Sequence, residues 1–157
     1  MKKLFIILLI FNVFSLVYSS PKTAYEEQLT EKRGIIYFKN EKKPFTGRVI
    51  SKKDRNYYLN GKAHGKWLTF YSNGNLKSIE NWKDGKLYGK YILYQENGTK
   101  IFETTYLNGK DNGDYFLYHK NGLLQVQGRF SNGVPKGVWK YFNNKGKLVG
   151  KATYSEN

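Results

Sequence analysis

The chain contains no cysteine, only 3 prolines and only 12 acidic residues, against 27 lysines and arginines. Because cysteine is absent, disulfide frameworks, thiolate metal sites, cysteine nucleophiles and a lipidated amino-terminal cysteine are excluded. The shortage of acids leaves a formal net charge of +15, which predicts attraction to anionic partners. Beyond the amino-terminal leader no long apolar run occurs in the 157 residues, and this length suits one ordinary domain.

Residues 1–19 have the pattern of a secretory signal peptide. Two lysines precede a 14-residue, mostly apolar run at positions 4–17, which is shorter than the roughly 20 residues that a membrane-spanning helix needs. The small residues Val17 and Ser19 predict cleavage after Ser19. An uncleaved amino-terminal anchor is the alternative. Both interpretations predict an exported protein, in the periplasm, at the cell envelope or secreted, that is not a lipoprotein.

A glycine-based repeat of 24 residues organises the rest of the chain. Four units fill residues 61–157, and each opens with a glycine that is followed four residues later by another. The paired glycines are Gly61 and Gly65, Gly85 and Gly89, Gly109 and Gly113, and Gly133 and Gly137. Such a fixed period is the signature of a repeat architecture. Residues 34–60 look like a shortened unit and are interpreted as a capping repeat, while the polar residues 20–33 are interpreted as a spacer.

Aromatic residues make up 17% of the chain and form three columns with the same period. The first column is Trp67, Tyr91, Tyr115 and Trp139; the second is Phe70, Tyr94, Tyr118 and Phe142; the third is Trp82, Tyr106, Phe130 and Tyr154. Because side chains alternate between the two faces of a strand, the offset of three residues predicts that the first and second columns lie on opposite faces. Rings in neighbouring units are expected to stack, so that at least one column is a structural spine.

The segments between the glycines predict strands joined by hairpins. They are about seven residues long, rich in aromatic and β-branched residues, and too short for a stable helix. Asn-Gly pairs at 73–74, 97–98 and 121–122 predict type I′ turns, and longer loops that begin and end with glycine join the other strand ends. The predicted fold is all-β, an elongated single-layer antiparallel meander of stacked hairpins.

The repeat resembles the bacterial variant of the MORN repeat. The resemblance rests on the pattern Asn/Asp-Gly-Lys-Xaa-Xaa-Gly-Xaa-Trp/Tyr and on the Asn-Gly pair eight residues past the second glycine. The stretch Pro-Phe-Thr-Gly-Arg-Val at 44–49 also looks like an opening unit of that family. The resemblance covers about residues 34–157 and implies a solenoid-like sheet of stacked hairpins. Members of the family often carry antitoxin-like labels, which imply an immunity-type role as one further alternative.

The sequence offers no evident residues for catalysis or cofactor binding. The two histidines, His64 and His119, do not recur in the repeat, and no His, Asp and Glu cluster has the spacing of a metal site. No glycine-rich loop opens a helix, so a phosphate-binding loop of the P-loop kind is excluded. We therefore expect that the protein is not an enzyme and that it has no catalytic residues, no cofactor and no metal.

Two sets of recurring side chains form the candidate binding surface. Lysines at matching positions of successive units predict a ladder with a spacing of about 10 Å along one edge of the sheet. They are Lys62, Lys86 and Lys110, with Lys66 and Lys90 after the next glycine. General solubility is the alternative role for these lysines. The second set is the first aromatic column, Trp67, Tyr91, Tyr115 and Trp139, which is interpreted either as spine or as a platform for a peptide or for sugar rings.

These surfaces favour a function in recognition. The leading hypothesis is an exported, non-catalytic binding or scaffold module that contacts a protein partner at the cell envelope or surface. The alternative is adhesion to anionic lipid or glycan surfaces through the lysines and aromatics, which salt would weaken. Export argues against nucleic acid as a partner. Because the predicted sheet has two terminal edges, a homodimer remains an alternative to a monomer.

Overall fold

The computed structural model describes residues 21–155 and consists of one large β-sheet with a small second sheet at its amino-terminal end. The large sheet has 14 strands, is open rather than closed into a barrel, and is antiparallel except for its first pair. The predicted all-β meander of stacked hairpins is therefore confirmed. The predicted signal peptide lies outside the described residues. Within residues 21–155, no helix is long and apolar enough to cross a membrane.

The strands before the first repeat unit form the capping region. In chain order they are β1 (Thr23–Tyr25), a 3-10 turn (Glu26–Gln28), β2 (Leu29–Lys32), β3 (Ile35–Phe38), β4 (Gly47–Ser51) and β5 (Asp54–Leu59). Strands β4 and β5 form a hairpin in the large sheet, whereas β2 and β3 pair with each other in the small sheet. The capping region is therefore two layers deep at one end.

Each of the first three repeat units contributes one short strand and two longer strands to the large sheet, and the fourth unit contributes two long strands. The first two units contain β6 (Lys62–Ala63), β7 (Gly65–Phe70), β8 (Leu76–Lys83), β9 (Lys86–Leu87), β10 (Gly89–Tyr94) and β11 (Lys100–Leu107). The last two contain β12 (Lys110–Asp111), β13 (Gly113–Tyr118), β14 (Leu124–Ser131), β15 (Val134–Phe142) and β16 (Leu148–Tyr154). The order β1-β4-β5-β7-β8-β10-β11-β13-β14-β15-β16 spans about 50 Å at the usual strand spacing.

The two ends of the hairpins use different turns, and the prediction of type I′ turns at the Asn-Gly pairs is wrong. At Asn97-Gly98 only the glycine has a positive φ, 86°, while the Asn97 side chain accepts a hydrogen bond from the Thr99 amide at 2.9 Å. This bond favours a type I turn that is followed by a left-handed glycine. Positive φ at two successive residues, as type I′ turns require, occurs instead at Asn60-Gly61, Asp84-Gly85, Asn108-Gly109 and Asn132-Gly133.

Backbone hydrogen bonds join each unit to the next. The amide of the turn glycine donates to a carbonyl in the short strand of the preceding unit, as from Gly85 to Ala63 at 2.9 Å and from Gly109 to Leu87 at 2.8 Å. At the opposite hairpin ends, side chains reach the next unit, and the Tyr71 hydroxyl donates to the Tyr94 carbonyl at 2.6 Å. The units are thus connected at both ends of their strands as well as through the sheet ladder.

The amino-terminal segment that we interpret from sequence as a spacer carries structure that belongs to the cap. Strand β1 pairs in parallel with β4, and Ala24 is fully buried against Phe45 and Val49. This pairing brings the Lys22 carbonyl oxygen so close to Gly47 that an added Cβ would lie 2.1 Å from it. Only glycine is small enough at this position, since any side chain would displace the segment.

Candidate binding surfaces

The first and third aromatic columns lie on a single face of the sheet and form two runs of ring contacts, one that ends at Trp82 and one that begins at Tyr91. Ring centroids are 5.3 Å apart between Trp67 and Trp82, and 5.7 Å apart between Tyr115 and Trp139. Trp139 is only 7% exposed. An added Cβ at Gly128 would lie 2.2 Å from its ring, so the indole can pack against this strand only because residue 128 has no side chain. We call this set the aromatic spine. Its members in the repeats are Trp67, Trp82, Tyr91, Phe102, Tyr106, Tyr115, Phe130, Trp139 and Tyr154.

The aromatic spine continues into the cap, and one of its members was missed by the column pattern. Tyr58 contacts Trp67 at 5.0 Å between centroids, and Phe45 in turn contacts Tyr58 at 6.4 Å. Phe102 stacks on Tyr91 at 5.3 Å with an angle of 8° between the ring planes. Since Phe102 has no aromatic counterpart in the other units, periodicity alone does not identify it.

Burial raises the pKa of tyrosines in the middle of the spine. Burial and, to a lesser extent, the Glu80 carboxylate raise the pKa of Tyr91. Burial and the Asp111 carboxylate likewise raise the pKa of Tyr115. Trp67, Tyr91 and Tyr115 are half-buried in the spine, so the platform residues that we selected from the sequence lie within the packing that holds the units together.

The second aromatic column lies on the other face, which we call the open face. Phe70 lies 5.9 Å from the Arg55 guanidinium, and Tyr118 lies 5.9 Å from the Lys100 ammonium. Among residues 21–155, no ring contact joins this column to the aromatic spine. A β-bulge precedes each residue of the second column, as between Leu93 and Tyr94. The side chains of this column nevertheless lie on the open face.

The lysines chosen from the sequence fall into two groups in the structure. Lys62, Lys86 and Lys110 open the short strands β6, β9 and β12 and are exposed. Lys66 and Lys90 are also exposed, and alternation with the spine residues places both on the open face. Lys66 makes no ion pair within the described part of the chain, whereas the Lys90 ammonium contacts Glu103 at 2.5 Å. The predicted ladder thus contains both free and neutralised cations.

Glu103 is a largely shielded carboxylate on the open face. Its carboxylate accepts hydrogen bonds from Lys90 at 2.5 Å and from Lys100 at 2.6 Å, and its side chain is 14% exposed. Burial alone would raise the pKa of this carboxyl, but the two lysine hydrogen bonds outweigh burial and hold the pKa below its usual range. Glu103 therefore remains a carboxylate and neutralises part of the positive charge at the middle of the open face.

The two histidines have structural surroundings. The His119 ring Nε2 lies 2.8 Å from the Phe142 carbonyl oxygen, at the position where Tyr71 makes the corresponding contact to the next unit. His64 Nδ1 lies 3.7 Å from the Asp84 carboxylate. Within residues 21–155, no three His, Asp or Glu side chains are grouped so that they could hold a metal ion.

A basic groove, which sequence reasoning missed, lies on the open face of the cap. Arg48, Arg55 and Lys66 line a cavity of about 210 Å³ together with Tyr57 and Ile50. An adjoining hollow of about 460 Å³ shares Ile50 and Arg55 and adds Lys52, Lys53 and Phe70. The basic groove comprises the cations Arg48, Lys52, Lys53, Arg55 and Lys66. Its members are spread over the shortened unit and the first full unit, so the repeat period does not reveal them. The available signal is local charge, since residues 47–74 contain six cations and one acid.

Comparison with known proteins identifies the repeats. A family model described as the MORN repeat variant matches residues 63–84 and 135–156. No curated protein matches the chain. A solved structure, the Glycosylation Associate Protein (Gap123) complex from Streptococcus agalactiae, aligns with 82% of this chain at 15% identity and a TM-score of 0.38. This chain spans only 22% of that protein's length. The two matched segments lie in the first and last units of the 24-residue period, and these repeats are therefore similar to the MORN repeat variant.

Proposed function

We propose that this chain is an exported, non-catalytic MORN-repeat module that binds a protein partner at the cell envelope or surface. The observation that carries the proposal is the open face. The small sheet of β2 and β3 packs on the same face as the aromatic spine, through Ile36 and Phe38 against the buried cluster of Ala24, Phe45 and Val49. Within residues 21–155, no second layer covers the opposite face. A rigid and uncovered sheet surface suits recognition of a partner.

The composition of the open face supports a protein as the partner. At its carboxy-terminal end Val138 is 50% exposed and Val149 is 62% exposed. Both alternate with spine-face residues along their strands, so they lie on the open face beside the cations Lys140 and Lys151. Exposed apolar side chains among charged ones are typical of a protein interface, with apolar residues towards its centre and polar residues at its rim.

Adhesion to an anionic lipid or glycan surface is the second candidate function. The observation that favours it is the matching placement of Lys62, Lys86 and Lys110, which are exposed at the start of successive short strands. Units repeat about every 10 Å across the sheet, so these ammonium groups form a regularly spaced row. Such a row attracts anionic surfaces through long-range electrostatics, which salt screens strongly.

The two functions are separated by capture experiments at two salt concentrations. Mature protein that is immobilised through its carboxy terminus is incubated with envelope extract at 50 and 500 mM salt, where the screening length differs about threefold. We expect a defined protein to remain bound at 500 mM and to be lost from the Val138→Glu, Val149→Glu double variant. The matched control is Val134→Glu, because Val134 is similarly exposed, at 54%, but lies at the start of β15 beside the Asn132-Gly133 turn.

A different pattern would support the second function. If retention occurs only at 50 mM, is reproduced by vesicles that contain anionic lipid, and is lost from the Lys62→Gln, Lys86→Gln, Lys110→Gln variant, the protein-binding proposal fails and adhesion replaces it. If neither extract proteins nor anionic vesicles are retained at 50 mM, both candidate functions fail.

A further inference from the structure

The amino-terminal end of the open face carries positive charge that neighbouring acids do not compensate. Residues 47–74 contain six cations, and their only acid is Asp54. The Asp54 carboxylate accepts a hydrogen bond from the Phe70 amide at 2.8 Å. Asp54 precedes Arg55 in β5, so alternation directs their side chains to opposite faces. Within the described residues, neither arginine of the basic groove nor Lys66 makes an ion pair.

The basic groove is elongated rather than a pocket for one small anion. Its two hollows share Ile50 and Arg55, and they extend from Arg48 to the turn at Lys52 and Lys53. Four residues of extended chain separate Arg48 from Lys52, which corresponds to about 13 Å. The groove therefore presents positive charge over the length of several residues of an extended ligand.

The floor of the basic groove is apolar between its cations. Ile50 lines both hollows, Tyr57 lines the first, and Phe70 lines the second. A fully polar polyanion would leave these side chains without complementary contacts. A peptide with alternating acidic and apolar side chains matches the groove better, because its carboxylates are about 6.6 Å apart along one side of an extended chain. Arginine side chains bind carboxylates through paired hydrogen bonds.

We propose that the basic groove binds an extended acidic segment of the partner protein, with carboxylates on Arg48, Arg55 and Lys66 and apolar side chains on Ile50 and Phe70. This inference rests on the proposed protein-binding function and names the chemistry of the partner. It places recognition on the irregular cap rather than on the repeated lysines. The full units then serve to extend the same open face.

The test uses a defined peptide rather than an extract. The probe is a fluorescent, end-blocked decapeptide in which glutamate alternates with valine and threonine, and the matched probe carries glutamine in place of glutamate. Binding to the mature protein is measured by anisotropy at 50 and 150 mM salt. The tested variant is Arg48→Gln, Arg55→Gln. The control variant, Lys145→Gln, Lys147→Gln, removes the same charge from exposed residues of the turn between strands β15 and β16.

The glutamate probe is expected to bind, and the groove variant to bind it about tenfold more weakly, with less than a threefold change for the control variant. Equal losses in the two variants would show attraction by net charge alone and overturn the inference. The inference also fails if inorganic phosphate or anionic vesicles bind this groove and the peptide does not. If the groove variant still captures the envelope protein with unchanged affinity, the groove inference fails while the proposed function stands.

Discussion

At the scale of single residues, Glu103 shows how one carboxylate neutralises part of the charge of two lysines on a strongly basic sheet. Lys90 and Lys100 come from neighbouring strands and share its two carboxylate oxygens. Hydrogen bonds that involve a buried charged group stabilise more than exposed ion pairs do, and removal of one partner leaves the others uncompensated. This group of three residues therefore stabilises the middle of the open face and neutralises part of its charge. Within residues 21–155, the cations of the basic groove, in contrast, have no such acid beside them.

The replacement Glu103→Gln is expected to lower the free energy of unfolding by about 1 kcal/mol at neutral pH. Because the pKa of Glu103 is depressed in the folded state, its stabilising contribution is complete above the ordinary glutamate pKa of about 4.3 and is lost as the pH falls through the folded-state value. Urea unfolding at pH 7 and at pH 3 measures this. Glu96→Gln, in an exposed turn, is the control. A variant deficit that is as large at pH 3 as at pH 7 would contradict the electrostatic explanation.

At the scale of elements, the two hairpin ends are stabilised by different means although both contain an Asn-Gly or Asp-Gly pair. The Asn108 backbone has a φ of 52° and Gly109 a φ of 81°, so both residues are left-handed. The Asn97 backbone is not left-handed, and its side chain accepts a hydrogen bond from the Thr99 amide instead. The same dipeptide therefore serves two turn types, which the flanking strand pairing selects.

These two turns respond differently to the same substitution. Asn108→Ala is expected to cost about 1 kcal/mol, because alanine is strained in the left-handed region, whereas Asn108→Gly removes that strain and is expected to be nearly neutral. At position 97 glycine loses the side-chain hydrogen bond and is expected to cost about 1 kcal/mol, while Asn97→Asp retains the acceptor oxygen and stays near wild type. Equilibrium unfolding of the four variants checks the pattern. A neutral Asn108→Ala variant would argue against a type I′ turn there.

At the scale of the whole molecule, the open sheet needs an end structure because each hairpin depends on its neighbours. Repeat arrays are stabilised by contacts between adjacent units, and their terminal units commonly take a capping form. Here the first hairpin, β4 with β5, is covered by β1 at its edge and by the β2–β3 sheet on its spine face. The buried cluster of Ala24, Phe45 and Val49 joins these parts.

The replacement Ala24→Asp tests whether the amino-terminal segment is part of the fold. Ala24 is fully buried, so an aspartate there would place a charge in the apolar cluster, and we expect a loss of about 3 kcal/mol or more. Tyr25→Asp is the matched control, because the adjacent Tyr25 is 54% exposed and should change stability by only about 0.5 kcal/mol. Thermal and urea unfolding measure both variants. Equal stability of the two would mean that residues 21–25 do not pack on the sheet in solution.

The candidate surfaces could be predicted only where they follow the repeat. The exposed lysines of the short strands and the first aromatic column have fixed positions in each unit, so their placement follows from strand alternation. Phe102 in the spine and Arg48 in the basic groove occur once. Their importance depends on which strands become neighbours, and this information is absent from the local sequence.

The sequence by itself determined the 24-residue period, the hairpin meander and the separation of the first two aromatic columns, because each depends on interactions within a few residues or on exact repetition. Only the tertiary structure decided that the amino-terminal segment pairs with β4 and which turn type forms at each hairpin end. It also decided that Arg48, Arg55 and Lys66 lie together in one groove. These features depend on close approach between distant parts of the chain. The parallel pairing of β1 with β4, for instance, needs the space beside Gly47, and no periodic pattern in the sequence predicts this pairing.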